Sequence, residues 1–284
     1  MTFLQIFLLG LIQGAAELLP VSSSAHVIVA EKLMGLDPAS PEMTFLLVML
    51  HTGTMFAVIA YFWQAWRVRY FSSAAACREI AVLVVIATGF TGVVGLAIKH
   101  LIEKAFLGSG DIEQLFSNLT LIAASLAAAG VLILIAGRRT NGAGSDRAPG
   151  WNAAAWIGAV QGLCLPFRGF SRSGATISTG LLMGIGKARM EEFSFALAVV
   201  LTPLVIGREL LRLLKAHGGG APAGGLHLTA LLGPGLAGMA CSFFAGLLAL
   251  KFLSRLLESG RWAFFGYYCF AAAAGVLALA HFGG

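Results

Sequence analysis

Six stretches of about twenty mostly apolar residues run through this chain, and nothing else in it limits the fold so tightly. They cover roughly Met43–Trp63, Ile80–Ile98, Leu115–Ala136, Phe193–Leu214, Leu228–Leu250 and Trp262–Phe282. A helix needs about 20 such residues to cross the hydrocarbon of a bilayer, where every backbone N–H and C=O must be satisfied within the protein. Each stretch is expected to be a spanning helix. Composition agrees: 58% of residues are hydrophobic and 11% charged, against about 25% charged in soluble domains. The expected fold class is an all-α polytopic membrane protein in contact with the lipid bilayer. The net charge of +6 then belongs to loops facing the cytoplasm, and no nucleic-acid partner is needed to explain it.

Two further apolar runs are interrupted. Residues 1–36 break at Pro20 and the serines that follow it, and residues 151–186 break at Pro166 and Gly169. Each half is too short to span, and each break falls at membrane depth. Non-helical backbone is tolerated there only inside protein or along a wet cavity. Both runs are expected to be re-entrant helix–break–helix hairpins. The order is hairpin, three spans, hairpin, three spans, which suggests a duplication. Gly10, Gln13, Gly14 and Ser23 recur 148 positions later as Gly158, Gln161, Gly162 and Ser171, and Glu42–Phe45 resembles Glu192–Phe195. Three spans per copy is odd, so the second copy is expected to be inverted. Repeat one is then 1–139, the linker 140–150 and repeat two 151–284, all within one integral-membrane domain. His217–Gly225 reads as another loose loop.

If the first hairpin enters from outside, the inside loops hold eleven basic residues: Arg67, Arg69, Arg78, Arg138, Arg139, Arg147, Lys187, Arg189, Lys251, Arg255 and Arg261. The outside segments hold six: Lys32, Lys99, Lys104, Arg208, Arg212 and Lys215. This bias places both termini outside. The four cysteines form no CxxC pair and read as small apolar residues. No basic segment precedes the first apolar run, so no cleaved signal peptide is expected.

Chemistry concentrates in the two breaks. The first, QGAAELLPVSSSAH (Gln13–His26), holds Glu17, Ser22, Ser23, Ser24 and His26. A carboxylate there needs a cation, a metal or water. Glu17 reads as a metal ligand or acid–base group, or else as a structural partner of Arg172. The serines can cap the helix expected to start near Ala25, bind a phosphate at its N-terminus, or supply a nucleophile within reach of His26. His26 suits proton transfer or attack on phosphorus. The second break, RGFSRSGAT (Arg168–Thr176), holds Arg172, whose planar fork suits phosphate, between Ser171 and Ser173. Gly169 and Gly174 let backbone approach an oxyanion, Thr176 is a candidate helix cap, and Arg168 is either functional or snorkels. His51-Thr52-Gly53-Thr54 reads as helix packing through Gly53, or as a supporting shell that contains His51. Together these groups describe an anion site with acid–base capacity at membrane depth, for which a lipid phosphate is the natural ligand.

These residues resemble the undecaprenyl pyrophosphate phosphatase (bacitracin-resistance) family. Its motifs, approximately EGxTEFLPVSSxGH and PGxSRSGAT, correspond to QGAAELLPVSSSAH and RGFSRSGAT here. The resemblance implies six spans and two re-entrant hairpins as inverted-topology repeats. It also implies removal of one phosphate from an isoprenoid lipid pyrophosphate at the outer face of the bacterial inner membrane, in recycling the lipid carrier of cell-wall synthesis. Glu17, Ser23, His26 and Arg172 fall on its catalytic positions. Ser22, Ser171, Ser173, Gly174 and Thr176 join Arg172 around the phosphate. A divalent cation, Mg²⁺ or Ca²⁺, is expected with Glu17 as its ligand, and a homodimer is among the expected assemblies. Three departures stand out. Gln13 replaces the family's first glutamate, which weakens a cation site. Arg168 replaces the motif-two proline. Cys269 follows Tyr268 where the family tends to have arginine. The last two fit a relocated phosphate contact or a changed substrate. Hydrolysis is the expected function. A transporter of lipid phosphates on the same fold, needing an anion site but no nucleophile, is the alternative.

Overall fold

Each of the six apolar stretches carries a long helix, which starts at Leu119 rather than Leu115 in the third, and most of the helices run past the apolar residues at one or both ends. The computed structural model describes residues 1–37, 40–107, 115–116, 118–139, 146–217 and 228–282, without the side chains of 106–107, 208–209, 212–217 and 228–231. Residues 140–145 of the expected linker and 218–225 of the expected loop lie outside that description, as do the side chains of Arg208, Arg212 and Lys215. The helices are α1 (Phe3–Leu18), α2 (Ser23–Leu33), α3 (Pro41–Arg69), α4 (Ala74–Ile102), α5 (Leu119–Arg139), α6 (Trp151–Cys164), α7 (Arg172–Leu182), α8 (Lys187–His217), α9 (Leu228–Glu258) and α10 (Ala263–Phe282). A single π turn, Glu103–Leu107, continues α4. Among the described residues there is no strand, and six helices (α3, α4, α5, α8, α9 and α10) are long and apolar enough to cross a membrane.

The overrun has local causes. Ser40 accepts a hydrogen bond from the Met43 N–H, and Pro41 occupies the first helical position, so α3 starts ahead of its apolar stretch. Ser73 caps α4 in the same way through the Ala76 N–H. Arg67 and Arg69 complement the C-terminal end of α3. The polar first turns of α8 are helical as well, and there Arg69 forms an ion pair with buried Glu192. Ser254 of α9 donates to Glu191 at 2.6 Å, and Tyr61 donates to Ser254 at 2.9 Å.

Small residues set how closely the helices pack. α1 lies on α9 through Gly10 and Gly14: a Cβ on Gly14 would stand 2.6 Å from the Ser242 carbonyl oxygen. α6 lies on α4 through Gly158 and Gly162: a Cβ on Gly162 would stand 2.9 Å from the Thr91 carbonyl oxygen, and one on Gly158 would run into the Ala87 backbone. α5 packs along α10 and α3 along α9 and α8. The largest buried cluster draws from nearly every helix, and Phe193, Phe195, Trp262 and Phe265 are its largest fully buried side chains. Outward faces carry Val85, Val93, Leu96, Phe244 and Leu248, all exposed, as lipid contact requires. The two broken runs, α1–α2 and α6–α7, bring their breaks together inside this bundle.

Candidate active site

Pro20 ends α1. The residue before a proline is pushed out of the helical region, and Leu19 is extended (ψ 152°) with its N–H still bonded to the Ala15 carbonyl. The chain turns through Val21 and reaches Ser22, the one described non-glycine residue with positive φ (67°). That conformation is costly for a residue with a side chain, and such outliers collect at functional sites. α2 begins at Ser23, not near Ala25, and the Ser22 side chain makes no capping bond; it meets Ser24 Oγ at 3.3 Å instead. In the second break, Gly169 (φ 111°) packs so tightly that a Cβ would lie 2.5 Å from the Ile122 carbonyl oxygen of α5. The cap of α7 is Ser171, accepting from the Gly174 N–H at 3.2 Å, rather than Thr176. The first break runs from Leu19 to Ser22 and the second from Leu165 to Ser171, so the second is three residues longer, and the caps Ser22 and Ser171 are 149 positions apart rather than the 148 of the sequence echo.

The two breaks are joined by three contacts. Arg172 Nη2 donates to Glu17 Oε1 at 3.2 Å. Ser173 Oγ donates to the Leu19 carbonyl at 3.1 Å. A Cβ on Gly174 would stand 3.2 Å from Pro20 Cβ. Glu17 Oε2 also accepts from Ser23 Oγ at 2.5 Å and from Gln13 Nε2 at 3.3 Å; an acceptor-only carboxylate requires the amide to present its NH₂. Glu17 and Arg172 are only partly buried, with side chains 18% and 21% exposed. Arg172 Nη1 is buried and has no hydrogen-bond partner among the described residues. A guanidinium held by one carboxylate, with another N–H unspent, is arranged to meet an anion. Ser23, hydrogen-bonded to a carboxylate, has the relation of a nucleophile to its base.

His26, in the first turn of α2, takes its orientation from both ring nitrogens. Nδ1 lies 2.8 Å from the Ser22 carbonyl and Nε2 lies 2.8 Å from Tyr268 Oη on α10, with the two rings stacked at 5.7 Å. Among the described residues no hydrogen bond joins it to Glu17 or to a serine side chain, and its orientation is set by the Ser22 carbonyl and Tyr268. Sequence reasoning gave Tyr268 no role: it is separated from His26 by 242 positions and sits in an otherwise apolar helix. Next to it, Cys269 Sγ lies 3.3 Å from the Pro20 carbonyl, so α10 also borders the first break.

The remaining expected residues sit close by. Ser171 and Ser173 are buried with their hydroxyls 3.4 Å apart. Thr176 is fully buried; its hydroxyl bonds the Arg172 carbonyl (2.9 Å) and Ser194 Oγ (2.6 Å), tying α7 to α8. His51 Nδ1 meets the Leu47 carbonyl at 2.8 Å. A Cβ on Gly53 would collide with the Met239 carbonyl and Ser242 Oγ of α9, so the packing account of that segment holds. Gln161, the counterpart of Gln13, is buried and donates to Thr91 Oγ1 at 3.0 Å, within the α4–α6 contact.

The donor set does not fit a divalent cation held by the protein. Glu17 offers one carboxylate whose oxygens already take Arg172, Ser23 and Gln13, and Gln13 turns donors toward it. Mg²⁺ and Ca²⁺ seek free carboxylate oxygens.

Comparison with known proteins adds relatives. A family model described as bacitracin resistance protein BacA matches residues 6–275. A protein of Acinetobacter baylyi named undecaprenyl-diphosphatase 2 is 59% identical over 284 residues, covering 99% of both chains. Proteins named undecaprenyl-diphosphatase from Desulfosudis oleivorans and Syntrophotalea carbinolica are 33% and 35% identical, covering 94% and 95% of each chain.

Proposed function

The chain belongs to the BacA family, and from that membership and the joined breaks we propose how it works. It is an undecaprenyl-diphosphatase: it hydrolyses an isoprenoid lipid pyrophosphate to the monophosphate and inorganic phosphate, as its relatives are named for doing. The observation that carries the mechanism is the 2.5 Å hydrogen bond from Ser23 to Glu17, beside the unspent Nη1 of Arg172.

In this reading Ser23 Oγ attacks the terminal phosphorus while its proton passes to Glu17 Oε2. The bond from that phosphorus to the bridging oxygen breaks, and its electron pair leaves with the lipid monophosphate. Water then attacks the phosphoseryl group, and Glu17 returns the proton to Ser23 Oγ. Arg172 stabilises the equatorial phosphoryl oxygens, where charge accumulates in the transition state. Ser22, Ser171, Ser173 and Gly174 line the approach, and the first turns of α2 and α7 add N–H groups suited to phosphate. His26, set by Tyr268, faces the same substrate as an acid–base group. Thr176 holds α7 in place from α8.

The helix–break–helix pairs are re-entrant hairpins in this reading, and the two halves are inverted repeats. The packing supports it: α1 on α9 through Gly10 and Gly14 answers α6 on α4 through Gly158 and Gly162. In this reading both termini and the open side of the site lie at the outer face of the inner membrane, and the bias of basic residues toward the opposite loops supports that orientation. A transporter needs the anion site but no nucleophile, and the Ser23–Glu17 pair favours hydrolysis. The test is purified chain in liposomes with labelled C55 pyrophosphate. Phosphate release that is lost in Arg172→Ala and His26→Ala is the expected result; translocation without release overturns the reading.

A further inference from the structure

The break before α7 carries a second arginine that the chemistry above leaves unused. Arg168 is exposed, four residues ahead of Arg172, on the turn that the Phe170 N–H closes onto the Phe167 carbonyl (3.0 Å). Two features fix its place. Its Cζ lies 4.5 Å from the centroid of the Phe116 ring, just ahead of α5. Its neighbour Gly169 is seated against the Ile122 carbonyl of α5, so the backbone beneath it is anchored. Glu31 lies eight residues along α2 from Ser23. Glu31 is 2% exposed, and its Oε1 has no hydrogen-bond partner among the described residues. A carboxylate buried among apolar helices is costly unless it serves a cation, and the charge of Arg168 offsets part of that cost.

The charges around the site indicate what Arg168 binds. Glu17 and Arg172 cancel, and Gln13 removes the second carboxylate that would recruit a divalent cation. A pyrophosphate spreads its negative charge over two phosphates. Arg172 is committed to the terminal one, where bond cleavage occurs. The phosphate joined to the isoprenoid needs its own counter-charge, and Arg168 lies exposed on the same break. We infer that Arg168 binds the lipid-proximal phosphate of the substrate, in place of a bound divalent cation, and that Glu31 and Phe116 are positioning residues for its guanidinium. This rests on the phosphatase reading and adds to it the part of the site that distinguishes a pyrophosphate from a monophosphate.

The experiment uses the full chain in detergent, with farnesyl pyrophosphate as substrate and inorganic phosphate as competing ligand, in chelator and in Mg²⁺. Arg168→Ala raises KM about tenfold or more in chelator, the size of a lost charge-assisted contact, and Mg²⁺ restores part of the loss. The inhibition constant of inorganic phosphate, which occupies only the Arg172 position, stays within about twofold, a split that misfolding would not produce. Arg168→Lys recovers part of KM. Glu31→Gln raises KM more than it lowers kcat. An unchanged KM in Arg168→Ala, or an equal weakening of inorganic phosphate, overturns the inference. If the wild-type chain releases no phosphate, the phosphatase reading falls alone. Binding of farnesyl pyrophosphate by calorimetry then decides the arginine's role, with weaker binding in Arg168→Ala supporting it and equal binding refuting it.

Discussion

Replacing Gln13 by glutamate puts the cation argument to a quantitative test. Gln13 is 1% exposed, and its Nε2 lies 3.3 Å from Glu17 Oε2. In Gln13→Glu a donor becomes a second carboxylate one helical turn from the first. Two unit charges about 4 Å apart at an effective dielectric of about 20 repel by roughly 4 kcal/mol. Glu17 is 18% exposed, so solvent screens part of that, and Arg172 offsets part of the rest. A divalent cation bridging the two carboxylates removes the repulsion outright, so about tenfold or more tighter cation binding is expected. The assay is phosphate release from farnesyl pyrophosphate titrated with Mg²⁺ from a chelated start. Gln13→Glu should show a steep Mg²⁺ dependence, with activity in chelator at least about tenfold below its own saturated rate, whereas wild type should respond far less. Equal chelator sensitivity in the two proteins would refute the claim that the wild-type donor set is unsuited to a cation.

Other consequences follow from single contacts. Tyr268→Phe removes the hydroxyl that holds His26 Nε2, and kcat/KM should fall by roughly tenfold, with Tyr268→Ala, which also loses the stacked ring, worse. Gly158→Leu forces a side chain into the Ala87 backbone of α4 and should lower Tm or abolish folding, whereas Gly92, with open space beside it, should accept alanine without loss. Asp146, outside the spans, is held below its ordinary carboxyl value of 3.8 by the two hydrogen bonds from Arg189. A depressed carboxyl contributes stability above its unfolded value and loses it as pH falls through its folded value. The Tm difference between Asp146→Asn and wild type should therefore be present at neutral pH and vanish in acid.

Much of this architecture could be read from residue order, for reasons that differ between its parts. The spanning helices are legible because lipid leaves a chain no other way to satisfy its backbone; what the apolar pattern misses is their ends, since caps such as Ser40 and Ser73 are polar. The breaks announce themselves through Pro20, Pro166 and Gly169. That Glu17 meets Arg172 follows from polar residues in apolar surroundings needing partners. The partner of His26 was hidden, because nothing local connects it to Tyr268. The extra length of the second break was equally hidden, because the Ser23–Ser171 echo looks like an alignment of caps. Glu31 escaped notice as well: on an eleven-residue helix it reads as an ordinary polar residue until its burial is seen.

The most direct measurement is phosphate release from C55 pyrophosphate by the purified chain and its Ser23→Ala variant, in the same detergent and with matched Tm. Wild type is predicted to turn over, and Ser23→Ala to lose activity by about a thousandfold, within the range for a removed nucleophile or its base. Full turnover by Ser23→Ala, or no release by wild type, would contradict a serine activated by Glu17 at the junction of the two breaks.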